Sequence, residues 1–124
     1  MVIIMKEIPE LWELIALFEM EPVYVYGEEK GIPWFYSTIN FKLKRGSETL
    51  DITISPANGI IDIWLLIGDR KIIEINLENV EGMKIEKIHN KEILHILFSN
   101  DDVMEKFYIE TKPQIYMYCS KARF

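Results

Sequence analysis

Residues 38–67 read TINFKLKRGSETLDITISPANGIIDIWLLI, three runs of alternating apolar and polar residues parted by Gly46-Ser47 and Asn58-Gly59. Period-two alternation sends successive side chains to opposite faces of a strand, and turn residues between such runs mark hairpins. Register tests this reading, because a correct turn must bring the apolar residues of both strands onto one face. A type II′ turn at Gly46-Ser47 sets Leu43 against Leu50, Phe41 against Ile52 and Ile39 against Ile54, with Lys42 opposite Asp51 on the other face. A type I′ turn at Asn58-Gly59 sets Ile54 against Ile63, Ile52 against Leu65 and Leu50 against Ile67, so the apolar face continues into a third strand.

The pattern extends in both directions. At Gly68-Asp69-Arg70 a three-residue loop is expected, because only an odd loop keeps Leu65 opposite Ile73 and Ile63 opposite Ile75; a two-residue turn would place Glu74 on the core face. Glu78 to Gly82 breaks the rhythm, and strands follow at Met83–Ile88, Glu92–Phe98, Val103–Glu110 and Gln114–Ser120. His89-Asn90 turns the first pair, opposing Ile85 to Leu94, Met83 to Ile96, Lys84 to His95 and Lys87 to Glu92, and Ser99–Asp102 turns the next. Upstream, Leu11, Leu14, Ile15 and Phe18 recur at helical spacing within Pro9–Met20, which Glu21-Pro22 ends, and Val23–Tyr26 adds a short strand. The expected fold is mainly β (α+β): one N-terminal helix over 9–20, then an antiparallel meander of about eight strands over 23–120. One apolar face of that size must be covered, so the meander forms a sandwich or a partly open barrel. A single domain spanning 1–124 is expected, since no linker, repeat or low-complexity tract interrupts it.

Composition narrows function. With 14 basic and 20 acidic residues the net charge is −6, which argues against a nucleic-acid backbone or an anionic membrane as main partner. A single cysteine, Cys119, and the absence of an export or membrane-spanning segment point to the cytoplasm. Residues 1–30 hold seven acidic and two basic residues, a net of −5, while residues 31–124 hold 13 and 12, a net of −1. The acidity is therefore a local feature, able to steer a basic protein partner.

No motif carries catalysis. His89, His95 and Cys119 lack metal-ligand spacing, so neither a metal nor a cofactor is expected, and no nucleophile elbow or phosphate loop occurs. Cys119 alternates with Met117 and is expected to be a buried thiol. Asp51, Asp62 and Glu74 share the polar sheet face and are expected to be solvated there. Trp34, Tyr36, Trp64, Tyr24, Tyr26 and Tyr108 fall where the main core does not demand them, and aromatics so placed often anchor interfaces. For Trp64 and Leu66 the alternative is burial beneath the helix. Glu10, Glu13, Glu28, Glu29, Trp34 and Tyr36 form the expected partner-binding set.

The C-terminal half adds a resemblance. The strand "IIEINLENVEGMKIEKI" (72–88), the hairpin segment "EILHILF" (92–98), the acidic turn "SNDD" (99–102) and the closing "FYIETKPQIYMYCSK" (107–121) resemble small β-rich immunity proteins of bacterial polymorphic toxin systems. The resemblance rests on strand rhythm and on the "ENVEG" and "KPQIYMY" segments, and it carries over no site residue. It implies a cytosolic, single-domain binder without catalytic residues that neutralises a toxin by direct contact. Two other readings stand beside it: a carrier of a small apolar ligand within the curled sheet, and a homodimeric assembly module joined through an exposed edge strand.

Overall fold

The structure is a computed structural model describing residues 4–26, 32–98 and 103–123. A helix α1 (Leu11–Phe18) and a short strand β1 (Val23–Tyr26) precede β2 (Thr38–Arg45), β3 (Glu48–Ser55), β4 (Ile60–Ile67) and β5 (Arg70–Leu77). Then come β6 (Val80–Ile88), β7 (Lys91–Phe98), β8 (Val103–Lys112) and β9 (Tyr116–Arg123). The nine strands make two antiparallel meanders, β1-β2-β3-β4-β5 and β6-β7-β8-β9, which do not close into a barrel. The mainly β, sandwich-like architecture expected from the sequence is present, with one strand more than the count of eight.

The two sheets share one core. Ile39, Phe41, Leu43, Leu50, Ile52, Ile54, Ile61 and Ile63 from the first sheet cluster with Met83, Leu94, Ile96, Phe107 and Ile109 from the second. Helix α1 adds Leu14, Leu17 and Phe18, and the Phe18 ring stacks on Phe41 at 4.8 Å. The helix is shorter than its apolar pattern. Glu10 precedes it, with its backbone N–H donating to Glu13 Oε1 at 2.9 Å, and Glu19 ends it in the left-handed conformation at φ 60°.

Register follows the sequence where turn chemistry is simple and departs from it where loops are built. At Gly46-Ser47 the pairs Leu43–Leu50, Phe41–Ile52 and Ile39–Ile54 form as expected, and Gly46 takes the positive φ that a type II′ turn needs. The β6–β7 pairs Ile85–Leu94, Met83–Ile96, Lys84–His95 and Lys87–Glu92 also form. The β3–β4 pairing is corrected: Ile54 meets Ile61, Ile52 meets Ile63 and Leu50 meets Leu65. Instead of a two-residue type I′ turn, Pro56–Asn58 makes a 3₁₀ turn closed by Gly59 at φ 63°. Two extra loop residues slide the partners by one full pleat, so the face survives while the pairing moves.

At the next turn Leu65–Ile73 and Ile63–Ile75 pair as expected, but the mechanism differs. Ile67 pairs with Arg70 across a two-residue turn, and a bulge between Leu65 and Leu66 leaves Ile72 unpaired. Excluding that residue from the ladder restores the parity that keeps Glu74 off the core. Strand β6 begins at Val80, earlier than expected, because a second irregularity at Glu81 absorbs the break in rhythm.

The N-terminal segment fastens the two halves. The Met5 N–H donates to Pro56 O at 2.9 Å, the Lys6 N–H to Glu81 O at 2.7 Å and the Met83 N–H to Glu7 O at 2.8 Å, so residues 5–7 cover the free edge of β6. Gly82 permits this approach, since a Cβ there would lie 2.5 Å from Glu7 O. At the opposite end, Arg45 makes a two-pronged contact with Glu19, at 3.0 and 3.1 Å, and its Nε donates to Thr111 O at 3.1 Å. Lys112 lies 3.4 Å from Glu19 and 3.3 Å from Glu92, so charges from the helix end and both sheets form one chain.

Candidate functional site

The expected partner-binding residues divide between elements. Glu10 is exposed and Glu13 half-buried at the start of α1, where carboxylates also suit the helix dipole. Trp34 and Tyr36 lie in a 3₁₀ turn (Trp34–Tyr36) just before β2, linked through Phe35, whose ring is 6.2 Å from Trp34 and 4.9 Å from Tyr36. Trp34 is half-buried against the core, so part of its surface serves packing, whereas Tyr36 is 59% exposed. Glu28 and Glu29 lie outside the described residues, as does the Ser99–Asp102 turn.

Trp12 escaped the sequence reading. It is 68% exposed, between Glu10 and Glu13 and off the buried stripe of Leu14, Leu17 and Phe18. Its signal was present in the helical spacing, which leaves position 12 pointing away from the apolar positions 11, 14, 15 and 18.

The expectation that the helix buries Trp64 and Leu66 is corrected. Phe18 stacks on Phe41, which belongs to the apolar face, so α1 covers that face and the opposite one stays open. Trp64 is 40% exposed, with Lys71 Nζ 4.0 Å above its ring. Around it, Asp51, Asp62, Glu74, Asn40, Asn76 and Val25 line a shallow cavity of about 390 Å³ on the outer face of the five-stranded sheet. Asn40 Nδ2 donates to Asp51 at 2.6 Å and to Thr53 Oγ1 at 2.9 Å, and Asn76 Nδ2 donates to Asp62 at 2.7 Å. These amides fix Asp51 and Asp62 in place. Only Lys71, 2.6 Å from Glu74, offsets one of the three carboxylates by an ion pair among the described residues.

The outer face of the second sheet is different. His95 Nε2 lies 2.7 Å from Glu86 Oε1, and its ring approaches Tyr108 at 5.6 Å. Tyr108 stacks on Tyr118 at 5.2 Å and approaches Tyr116 at 6.4 Å. Desolvation in this ladder, then the neighbouring phenols and Glu110, push the Tyr108 hydroxyl above its ordinary value. Cys119, expected to be buried, is exposed. It shares the face of Met117, but β9 is an edge strand and the core's cover ends at Met117.

Among the described residues no group of three or more His, Cys, Asp or Glu side chains could hold a metal ion. None of their helices is long and apolar enough to cross a membrane. No family model and no curated protein matches the sequence. The fold is similar to that of a chain in a solved structure, the contact-dependent growth inhibition toxin–immunity protein complex from Klebsiella pneumoniae 342. The TM-score is 0.80 at 20% sequence identity, covering 98% of this chain and 100% of that one.

Proposed function

We propose that this chain is an immunity-type protein that neutralises a more basic toxin domain by binding it, without chemistry of its own. The observation that carries the reading is the correspondence of architecture over the full length of both chains with a component of a toxin–immunity complex. Between the two components of such a pair, the net charge of −6 and the C-terminal strand rhythm favour the inhibitor. Many toxins act on nucleic acid and need positive surface to do so, which an acidic inhibitor complements.

The docking surface in this reading runs over Glu10, Glu13, Glu28, Glu29, Trp34 and Tyr36, with Trp12 as its most exposed aromatic anchor. Carboxylates steer the encounter and the aromatics supply the desolvated contact that slows dissociation. The test is co-expression with a candidate basic toxin domain, such as one encoded beside this chain, followed by calorimetric titration. The expected result is a stoichiometric complex, protection of the cell from the toxin, and a dissociation constant that rises at least about tenfold between about 50 mM and about 500 mM salt. Failure to form a complex overturns the immunity reading. A complex indifferent to salt, or one held only by β6–β9, overturns the electrostatic surface.

A further inference from the structure

The core-facing side of the five-stranded sheet extends further than the core. Register puts Leu65, Ile67, Ile73 and Ile75 on the side of β4 and β5 that carries the core residues Ile61 and Ile63. Ile75 packs against the core, whereas Leu65, Ile67 and Ile73 lie beyond it, with Ile67 45% and Ile73 38% exposed. Ile67 pairs with Glu48 on one side and with Arg70 on the other, and residues directly opposite in a ladder share a face. Glu48 and Arg70 therefore flank this aliphatic patch, two strand spacings or about 10 Å apart. Neither makes an ion pair among the described residues. The patch occupies the end of the sheet where the Gly68 N–H donates to Ser47 O at 2.8 Å. Tyr26 and Phe98, which precede the undescribed segments 27–31 and 99–102, sit at the other end, paired with Thr38 and Val80.

We propose that a second copy of this chain covers the patch, in a two-fold dimer packed face to face. A two-fold interface sets one surface against itself, so it needs a surface complementary to its own image. One acid and one base on either side of an aliphatic centre meet that requirement: Arg70 faces the partner's Glu48, Glu48 faces the partner's Arg70, and Leu65, Ile67 and Ile73 meet their equivalents between them. The same balance gives a basic protein no excess of negative charge to bind here. Contact runs through faces rather than edges, since the bulge at Ile72 interrupts the β5 ladder. The net charge of −6 opposes association only weakly, because solvent screens it over about 8 Å at physiological ionic strength. The patch is small beside the roughly 1,200 Å² of a standard interface, so the dimer is weak, with a dissociation constant of roughly 10 μM to 1 mM. Trp34 and Tyr36 precede Thr38 at the opposite end of the sheet and stay uncovered.

The test is sedimentation of the full chain from about 5 μM to about 1 mM, as wild type and as the variants Ile73→Asp, Glu48→Lys and Arg70→Glu. All three positions lie outside the buried core. The expected result is a reversible monomer–dimer equilibrium in the wild type and a loss of at least about tenfold in self-association in each variant. An equimolar mixture of Glu48→Lys and Arg70→Glu should regain at least the wild-type affinity, because each contact across the mixed dimer again joins opposite charges. That recovery requires both variants to be folded. A chain that stays monomeric to about 1 mM, a dimer indifferent to Ile73→Asp, or a mixture that fails to recover would overturn the proposal. So would a monomeric chain in which Ile73→Asp weakens binding of the candidate toxin domain, which would then be the occupant.

Discussion

The two sheets share one core and the same meander connectivity, yet they meet solvent in opposite ways. Residues 1–79, which build the helix and the five-stranded sheet, hold 13 acidic and seven basic residues, whereas residues 80–124 hold seven of each. The whole net charge of −6 therefore belongs to one half, which also exposes Trp12, Tyr36 and Trp64. The other half is neutral overall and shows a tyrosine ladder on its outer face. A shared core fixes the shape of both sheets without fixing what their outer faces do, so the two surfaces can serve different ligands.

The strongest challenge to the comparison is to remove the core that joins the halves. Phe41→Ala deletes a fully buried ring stacked on Phe18 and should cost about 3–5 kcal/mol in denaturant unfolding. Amide signals from both sheets should disappear in one transition; separate melting of β6–β9 would show two cores rather than one. Next in size is the N-terminal fastening. Gly82→Ala drives a methyl group into the Glu7 backbone and should cost about 1–3 kcal/mol. Hydrogen exchange at Lys6 and Met83 should then accelerate more than exchange within β2 and β3.

Charge variants sharpen the contrast between outer faces. Glu10→Gln/Glu13→Gln and Asp51→Asn/Asp62→Asn/Glu74→Gln should each slow association with a basic partner, by up to about tenfold together at low salt. Lys87→Gln/Lys106→Gln should leave that rate unchanged. A reversed outcome in stopped-flow measurements would move the partner to the second sheet.

The smallest effect concerns the charged chain between the halves. The hydrogen bond from Arg45, helped by Lys112, holds the Glu19 carboxyl below its ordinary value of 4.5. A lowered folded-state value means that this stabilisation is present above the ordinary value and is lost as the pH falls through it. Glu19 is 44% exposed at its side chain, so solvent screening limits the contribution to about 0.5–1 kcal/mol. Arg45→Met should lose that much at neutral pH in denaturant titrations, and its deficit against the wild type should shrink below about pH 4.

Alternation made the faces legible, because a strand's period is insensitive to everything except local sequence. That is why Phe41, Ile52 and Ile63 were placed in the core, and why Lys84 was set opposite His95. Pairing across β3 and β4 was less legible, because it depends on loop length, and Pro56 converts an apparent two-residue turn into a longer one. What covers each face was least legible of all. Nothing in the sequence of Pro9–Met20 says on which side of the sheet it packs, so the fate of Trp64 had to come from the stacking of Phe18 on Phe41. For Cys119 the strand pattern was right, but its position at the sheet's margin decided its exposure.

The unpaired Ile72 has a further consequence. If it were deleted, Ile67–Arg70, Leu66–Lys71, Leu65–Ile73 and Trp64–Glu74 could all stay paired, and every core residue of β5 would keep its place. What would change is the outer margin of the sheet, where β5 would gain a straight, uninterrupted row of backbone donors and acceptors with Ile73 38% exposed beside it. The bulge at Ile72 therefore leaves the outermost strand irregular at that point, and an irregular edge is a poorer template for another chain.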